Sequence, residues 1–294
     1  MINDSRFLPL KDMQRFTEDM FNRIIDFQEK KHLAWDVNAA FAERIDNLPL
    51  HYFIFSNYDR DPDKQGPTLT HYYPLKVEMH KLAHYLRCAG CHEVIDYYPG
   101  NGLLGSLLAK AAQLTAIGLE FNNQKASQIA QFYDSACYQM RHASDQFTAN
   151  DTQGYFVSWT PSGSNPVPDL LSKKARLIIF VGTEHSNPET GQRQVGVDNM
   201  FDALAEDYRL WDSWEVIRPE NLLHKIWPDM TPNIEEIRQV RVYARNDLAP
   251  AKSADADEEA FAQQDPGYFW ESELRMAELA TQAMNSLQHM PFAR

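Results

Sequence analysis

Between about Leu10 and Lys31, Met13, Phe16, Met20, Phe21, Ile24 and Phe27 recur mostly at steps of three and four, with charged residues between them. This spacing predicts an amphipathic helix. A short second helix is expected over Val37–Asn47, ending ahead of Pro49, and His51–Ser56 (HYFIFS) reads as a buried strand or loop segment. The polar, turn-rich stretch Asn57–Thr68 follows. Its composition is that of a surface loop, with a lid over a substrate as the alternative.

From Leu75 the pattern changes to alternating helix and strand. A helix through Val77–Arg87 stops at Gly90, and a strand His92–Asp96 runs into Pro99-Gly100-Asn101-Gly102, which opens a helix Leu103–Gln113. A strand Leu114–Leu119 ends at Glu120 and leads to a polar-faced helix Asn123–Asp134. Strands are expected at Tyr138–His142, Gly154–Trp159 and Ala175–Val181, then a helix Val197–Tyr208 and strands Ser213–Ile217 and Val240–Arg245. Repeated strand–helix units of this kind predict an α/β fold with a doubly wound, mostly parallel sheet. The expected organisation is a helical cover region over 1–74, the sheet domain over 75–248, and an acidic linker with a final helix over 249–294. That last helix, Tyr268–Met290, is read as packing on its own domain, with a homodimer contact as the alternative.

Composition narrows the function classes. The 294 residues carry 28 basic and 41 acidic side chains, a formal charge of −13. Excess negative charge repels phosphate backbones, and no block of Lys or Arg offsets it, which argues against a nucleic-acid partner. Residues 251–294 hold three basic and eight acidic side chains, so −5 of the total falls there and −8 remains for 1–250. The charge argument is correspondingly weaker for the sheet domain. No run of roughly 18 apolar residues is present, so no membrane span is expected. The N-terminal residues lack the basic-then-apolar layout of an export signal, which predicts a cytoplasmic location. Three cysteines, an odd number in a chain this long, argue against a disulfide framework.

The sharpest chemical feature is the run from Val94 to Gly105, VIDYYPGNGLLG. A strand ends, glycines let the backbone turn tightly and approach a ligand, and a helix begins with free N–H groups. Glu120, twenty residues after Gly100, stands at the end of the next strand, where a carboxylate can accept hydrogen bonds from both ribose hydroxyls. Together these point to an adenosine-type cofactor. Gly100, Gly102 and Gly105 spell a dinucleotide fingerprint, but Asp96-Tyr97-Tyr98-Pro99 intervenes before the first glycine, and a pyrophosphate is repelled by a nearby carboxylate. A cationic sulfonium cofactor carrying an α-amino group is not, which favours S-adenosyl-L-methionine.

At these residues the chain resembles the class I S-adenosylmethionine-dependent methyltransferases, whose first motif is an acid followed by glycines at offsets of two, four and six. Here Asp96 is followed by Tyr98, Gly100 and Gly102. The Pro-Gly-x-Gly variant looks like that of the rRNA adenine dimethylases; Tyr98 departs from the pattern but, with Gly100 and Gly102, is a candidate cofactor contact that also lines the substrate side. The resemblance implies that Asp96 holds the methionyl end of the cofactor, Glu120 its ribose, and Asp145 the region of the adenine amino group. It implies a seven-stranded sheet closed by an antiparallel C-terminal hairpin. The Asn/Asp-Pro-Pro-Tyr/Phe signature of amine methyltransferases is replaced by Ser158-Trp159-Thr160-Pro161. Ser158 and Trp159 are candidate substrate contacts, with Trp159 as a packing residue on the alternative reading.

After the fifth expected strand, Glu184-His185 offers a general base with a carboxylate to orient it, because a histidine side chain titrates near neutral pH. A solvated loop histidine is the alternative. His80, His84, Cys88, Cys91 and His92 have partly metal-like spacing, but no second Cys pair accompanies them, and no metal is expected. The sequence therefore predicts methyl transfer from S-adenosyl-L-methionine to an N or O atom of a small molecule. An NAD-dependent oxidoreductase, an RNA methyltransferase and a non-catalytic interaction protein of the same fold are the alternatives.

Overall fold

A computed structural model describes residues 37–46, 70, 72, 74, 76–121, 131–144, 150–186, 190–217 and 237–248. The chain divides into two compact units, one formed by Met1–Tyr73, Arg218–Glu235 and Pro266–Arg294, the other by Pro74–Ile217 and Glu236–Asp265. In the first unit the described element is α1 (Phe41–Asp46), within the expected Val37–Asn47 helix. The expected helix Leu10–Lys31, the segments His51–Ser56 and Asn57–Thr68, and the tail helix lie outside the described residues, as does the expected helix Asn123–Asp134 except for residues 131–134, which are not helical.

The second unit carries α2 (Lys76–Cys88), β1 (Glu93–Asp96), α3 (Leu103–Ala112), β2 (Thr115–Glu120), β3 (Tyr138–His142) and β4 (Gln153–Ser158). These are followed by α4 (Val167–Lys173), β5 (Leu177–Thr183), a 3-10 turn (Asp202–Glu206), β6 (Tyr208–Ile217) and β7 (Ile237–Arg245). The seven strands form one sheet in the order β3-β2-β1-β4-β5-β7-β6. Neighbouring pairs from β3 to β5 are parallel, and β7 runs antiparallel to both β5 and β6.

Burial on both faces explains the apolar runs, since βα crossovers leave no strand face to water. On one face Ile95, Tyr97, Ile117, Leu119, Tyr155, Val157, Ile178 and Phe180 pack against Val167 and Leu170 of α4 and Leu204 of the 3-10 turn. The opposite face carries a buried ion pair. Arg238 of β7 donates from Nε and Nη2 to the two carboxylate oxygens of Glu78 in α2, at 3.0 and 2.6 Å. Both side chains are sealed from solvent, so each charge offsets the burial cost of the other.

Three elements differ from the sequence expectation. The helix expected over Val197–Tyr208 is a series of turns ending in the short 3-10 segment, because Gly196 and Asn199 adopt left-handed φ values of 66° and 57° that interrupt helical geometry. The helix α4 was not anticipated. Its Pro166-Val167-Pro168 start reads as loop, although proline is tolerated in a first helical turn. Finally, β6 begins at Tyr208 rather than Ser213, since an irregularity between Leu210 and Asp212 breaks its alternation.

Candidate functional site

The strand order reverses between β1 and β4, and the carboxyl ends of strands at such a point are where open α/β sheets bind ligands. Residues 96–102 leave β1 there. Gly100 and Gly102 both have left-handed backbones, with φ of 56° and 90°. Their surroundings differ: a Cβ on Gly102 would come within 2.7 Å of the Tyr133 ring, whereas one on Gly100 would meet nothing within 4 Å. Gly102 is thus held by packing. Gly100 has open space where its side chain would stand.

The first turn of α3 is satisfied from within. Asn101 Oδ1 accepts the Leu103 N–H at 3.1 Å, and the Asp96 carboxylate accepts the Gly105 N–H and, on Oδ2, the Tyr138 hydroxyl at 2.8 Å. The sequence expectation of free N–H groups aimed at a ligand is corrected here. Asp96 occupies the position at the helix start where an external anion would sit, so a pyrophosphate loses its usual cradle. Asp96 is 1% exposed, and burial pushes its carboxyl up to about 7. Its Oδ1 has no hydrogen-bond partner among the described residues. Gly105, the third glycine of the literal fingerprint, makes room for this carboxylate: a Cβ there would lie 2.7 Å from Asp96 Cγ and from Tyr138 Cε2.

Glu120 ends β2, two residues past the Asp96–Gly118 pairing, and is exposed. Beside it, Phe121 faces Tyr98 with ring centroids 5.9 Å apart, and Tyr98 stands edge-on to Tyr97 at 5.0 Å. Burial and the nearby Asp169 push the Tyr98 phenol up. The Tyr97 hydroxyl donates to Asp169 Oδ2 of α4 at 2.6 Å. At the end of β4, Ser158 is buried and its hydroxyl has no partner among the described residues. Trp159 follows in a left-handed conformation, φ 54°, a strained geometry for a bulky residue that recurs at functional sites. The elements therefore bring Asp96, Tyr98, Gly100, Glu120, Ser158 and Trp159 to the carboxyl ends of three adjacent strands. Asp145 lies outside the described residues.

One strand further along, an open cleft lies beside the end of β5, lined among others by Val157, Thr160, Phe180, Glu184, Arg193 and Arg241. Glu184 and His185 are both exposed just beyond β5. Glu184 accepts a hydrogen bond from the Arg241 guanidinium through Nη2. The His185 N–H donates to Thr183 Oγ1 at 3.2 Å. Arg193 and Arg241 escaped the sequence reading. Arg241 could have been found from the alternation Gln239-Arg241-Tyr243, which places a cation on the β7 face that carries Tyr243.

In the His80–His92 cluster, Cys88 Sγ lies 3.3 Å from His84 Nε2, and burial pushes the Cys91 thiol up to about 12. Among the described residues no three His, Cys, Asp or Glu side chains converge to hold a metal ion, and no helix is long and apolar enough to cross a membrane.

No family model and no curated protein matches this chain. Among solved structures it is similar to a SAM-dependent methyltransferase from Geobacter sulfurreducens in complex with S-adenosyl-L-homocysteine, at 13% identity and TM-score 0.40, covering 59% of this chain and 92% of that one. A second SAM-dependent methyltransferase, from Thiobacillus denitrificans and also with S-adenosyl-L-homocysteine, matches at 11% identity and TM-score 0.40 over 63% of this chain and 96% of that one. The 4+2 cyclase SpnF matches at 12% identity and TM-score 0.39, over 58% and 81%. Likenesses of this size carry no functional argument. The strand order and the closing antiparallel hairpin agree with the seven-stranded sheet that the resemblance to the class I S-adenosylmethionine-dependent methyltransferases implies.

Proposed function

We propose that the carboxyl ends of β1, β2 and β4 bind S-adenosyl-L-methionine and that the protein transfers its methyl group to an N or O atom of a small molecule. The observation that supports this most is the combination of an open left-handed turn at Gly100 with the exposed carboxylate of Glu120 on the adjacent strand. The residues present fit such a group. Glu120 would accept from the ribose hydroxyls, the backbone at Gly100 would lie against the methionyl portion, and the partnerless Ser158 hydroxyl would gain a polar contact. Asp96 acts by holding the turn, through Gly105 and Tyr138, because its carboxylate is buried beneath α3. That same carboxylate at the helix start disfavours a dinucleotide.

When bound, the cofactor supplies an electrophilic methyl group on sulfur, so the protein's task is chiefly alignment and exclusion of water. Tyr98 and Trp159 would wall the reacting centre. His185, next to the pocket residue Glu184, would take the proton that the acceptor atom releases, while Arg241 holds Glu184 in place. Calorimetric titration with S-adenosyl-L-homocysteine tests the reading: saturable binding is expected, weakened about tenfold or more in Glu120→Ala by loss of charge-assisted hydrogen bonds.

A second reading rests on Tyr98, whose half-buried ring stands where the resemblance calls for glycine. If that ring fills the cofactor space, the protein is a non-catalytic member of the fold. Wild-type protein would then bind no S-adenosyl-L-homocysteine, and Tyr98→Gly would gain binding.

A further inference from the structure

The cavity beside β5 has a composition that the fold does not need. Its wall is aromatic: Phe180 meets Phe201 edge-on at 5.0 Å, and Phe201 stacks on Tyr243 at 5.8 Å. The Arg241 guanidinium lies over the Phe201 ring, 4.6 Å from its centroid. Val195 closes one side by lying on Gly182, where a Cβ would come within 2.7 Å of Val195 Cγ1. Among the described residues, Arg193, Arg241 and the Glu184 carboxylate line the space.

Arg241 is already engaged by Glu184 and, at 3.2 Å, by Gln239 Oε1. Arg193 is different. Among the described residues its Nε is buried without a hydrogen-bond partner, and its Nη1 pairs at 3.6 Å with Asp198, which is 83% exposed. A buried guanidinium donor left unmade is costly, and a ligand anion is the group that satisfies it best, in two-pronged geometry.

We infer that this cavity binds a small molecule with a flat apolar or aromatic body and one anionic group, a carboxylate or a phosphate, which Arg193 receives while the body lies against Phe180 and Phe201. The binding of such an anion stands on the cavity itself. Its role as methyl acceptor rests on the cofactor reading above, because Val157 and Thr160 of the cavity flank Ser158 and Trp159 at the end of β4.

The test uses the full chain and simple probes: benzoate and phenyl phosphate as anions, benzyl alcohol and benzylamine as neutral and cationic controls of the same body, followed by ligand-observed NMR and calorimetry. At least one anion is expected to bind at millimolar concentration, with both controls at least about tenfold weaker, and Arg193→Gln is expected to weaken that anion about tenfold or more. The two anions compared with each other separate carboxylate from phosphate. Thermal unfolding of Arg193→Gln checks that it folds, and if it does not, the anion-to-control ratio on wild type still decides. Equal binding of the controls, no anion binding at 10 mM (~2.7 kcal/mol), or unchanged anion affinity in a folded Arg193→Gln overturns the inference. S-adenosyl-L-homocysteine is titrated in parallel. Anion binding without it removes the acceptor role and leaves the site, whereas its binding without any anion removes the site alone.

Discussion

The buried Asp96 makes stability depend on pH in a definite direction. Its carboxyl is 1% exposed beneath α3 and is pushed from 3.8 up to about 7, chiefly by burial, against the opposing hydrogen bonds from Tyr138 and Gly105. Between about pH 4 and pH 7 the folded protein therefore keeps a proton that the unfolded chain has lost, so this group's contribution is present below 3.8 and declines as pH rises through 7. Across the whole interval the change is about 4 kcal/mol, at roughly 1.4 kcal/mol per pH unit. Between pH 5 and pH 8 it is about 3 kcal/mol, a large part of a typical domain's ~5–15 kcal/mol. Asp96→Asn keeps the shape and removes the ionisation. Urea unfolding followed by circular dichroism at pH 5, 6, 7 and 8 should show wild type losing about 3 kcal/mol more than the variant over that range, since distant titrating groups contribute equally to both. Parallel pH profiles, with a difference constant to within about 0.5 kcal/mol, would refute the assignment of a buried, proton-holding carboxyl at this position.

Gly105→Ala should destabilise by about 2–4 kcal/mol despite alanine's better helix propensity, because the new Cβ meets Asp96 and Tyr138 at 2.7 Å. Gly100→Ala, with open space around it and only a left-handed φ of 56° to satisfy, should cost about 1–2 kcal/mol; denaturant midpoints of the two variants give the ordering. Glu78→Ala should cost about 3–5 kcal/mol by leaving the Arg238 guanidinium buried without its carboxylate, and the double variant Glu78→Leu/Arg238→Met should recover most of that loss in the same assay.

Much of the sheet domain was legible because its signals are local. The end of β1, the Pro-Gly-Asn-Gly turn and the start of α3 lie within ten residues, and each uses residue types whose backbone or capping behaviour is distinctive. The spacing to Glu120 was legible too, since it depends only on one helix and one strand. What the sequence concealed is set by distant parts of the chain. Nothing near Asp96 tells that its carboxylate turns under α3, where Tyr138, 42 residues on, and Gly105 receive it. Arg193 and Arg241 reach one cavity only because β7 pairs with β5 in the register that sets Phe180 opposite Arg241. The Val197–Tyr208 stretch misled by its apolar spacing, which left-handed Asn199 overrides.

The central claim is that the end of β2 and the Gly100 turn hold the adenosyl and methionyl parts of one cofactor. Calorimetric titration of the full chain with S-adenosyl-L-homocysteine, alongside Glu120→Ala, tests it most directly. The account predicts one saturable site in the wild type, weakened about tenfold or more in the folded variant. Absence of heat at 1 mM cofactor product (~4.1 kcal/mol), or equal affinity in Glu120→Ala, would contradict it.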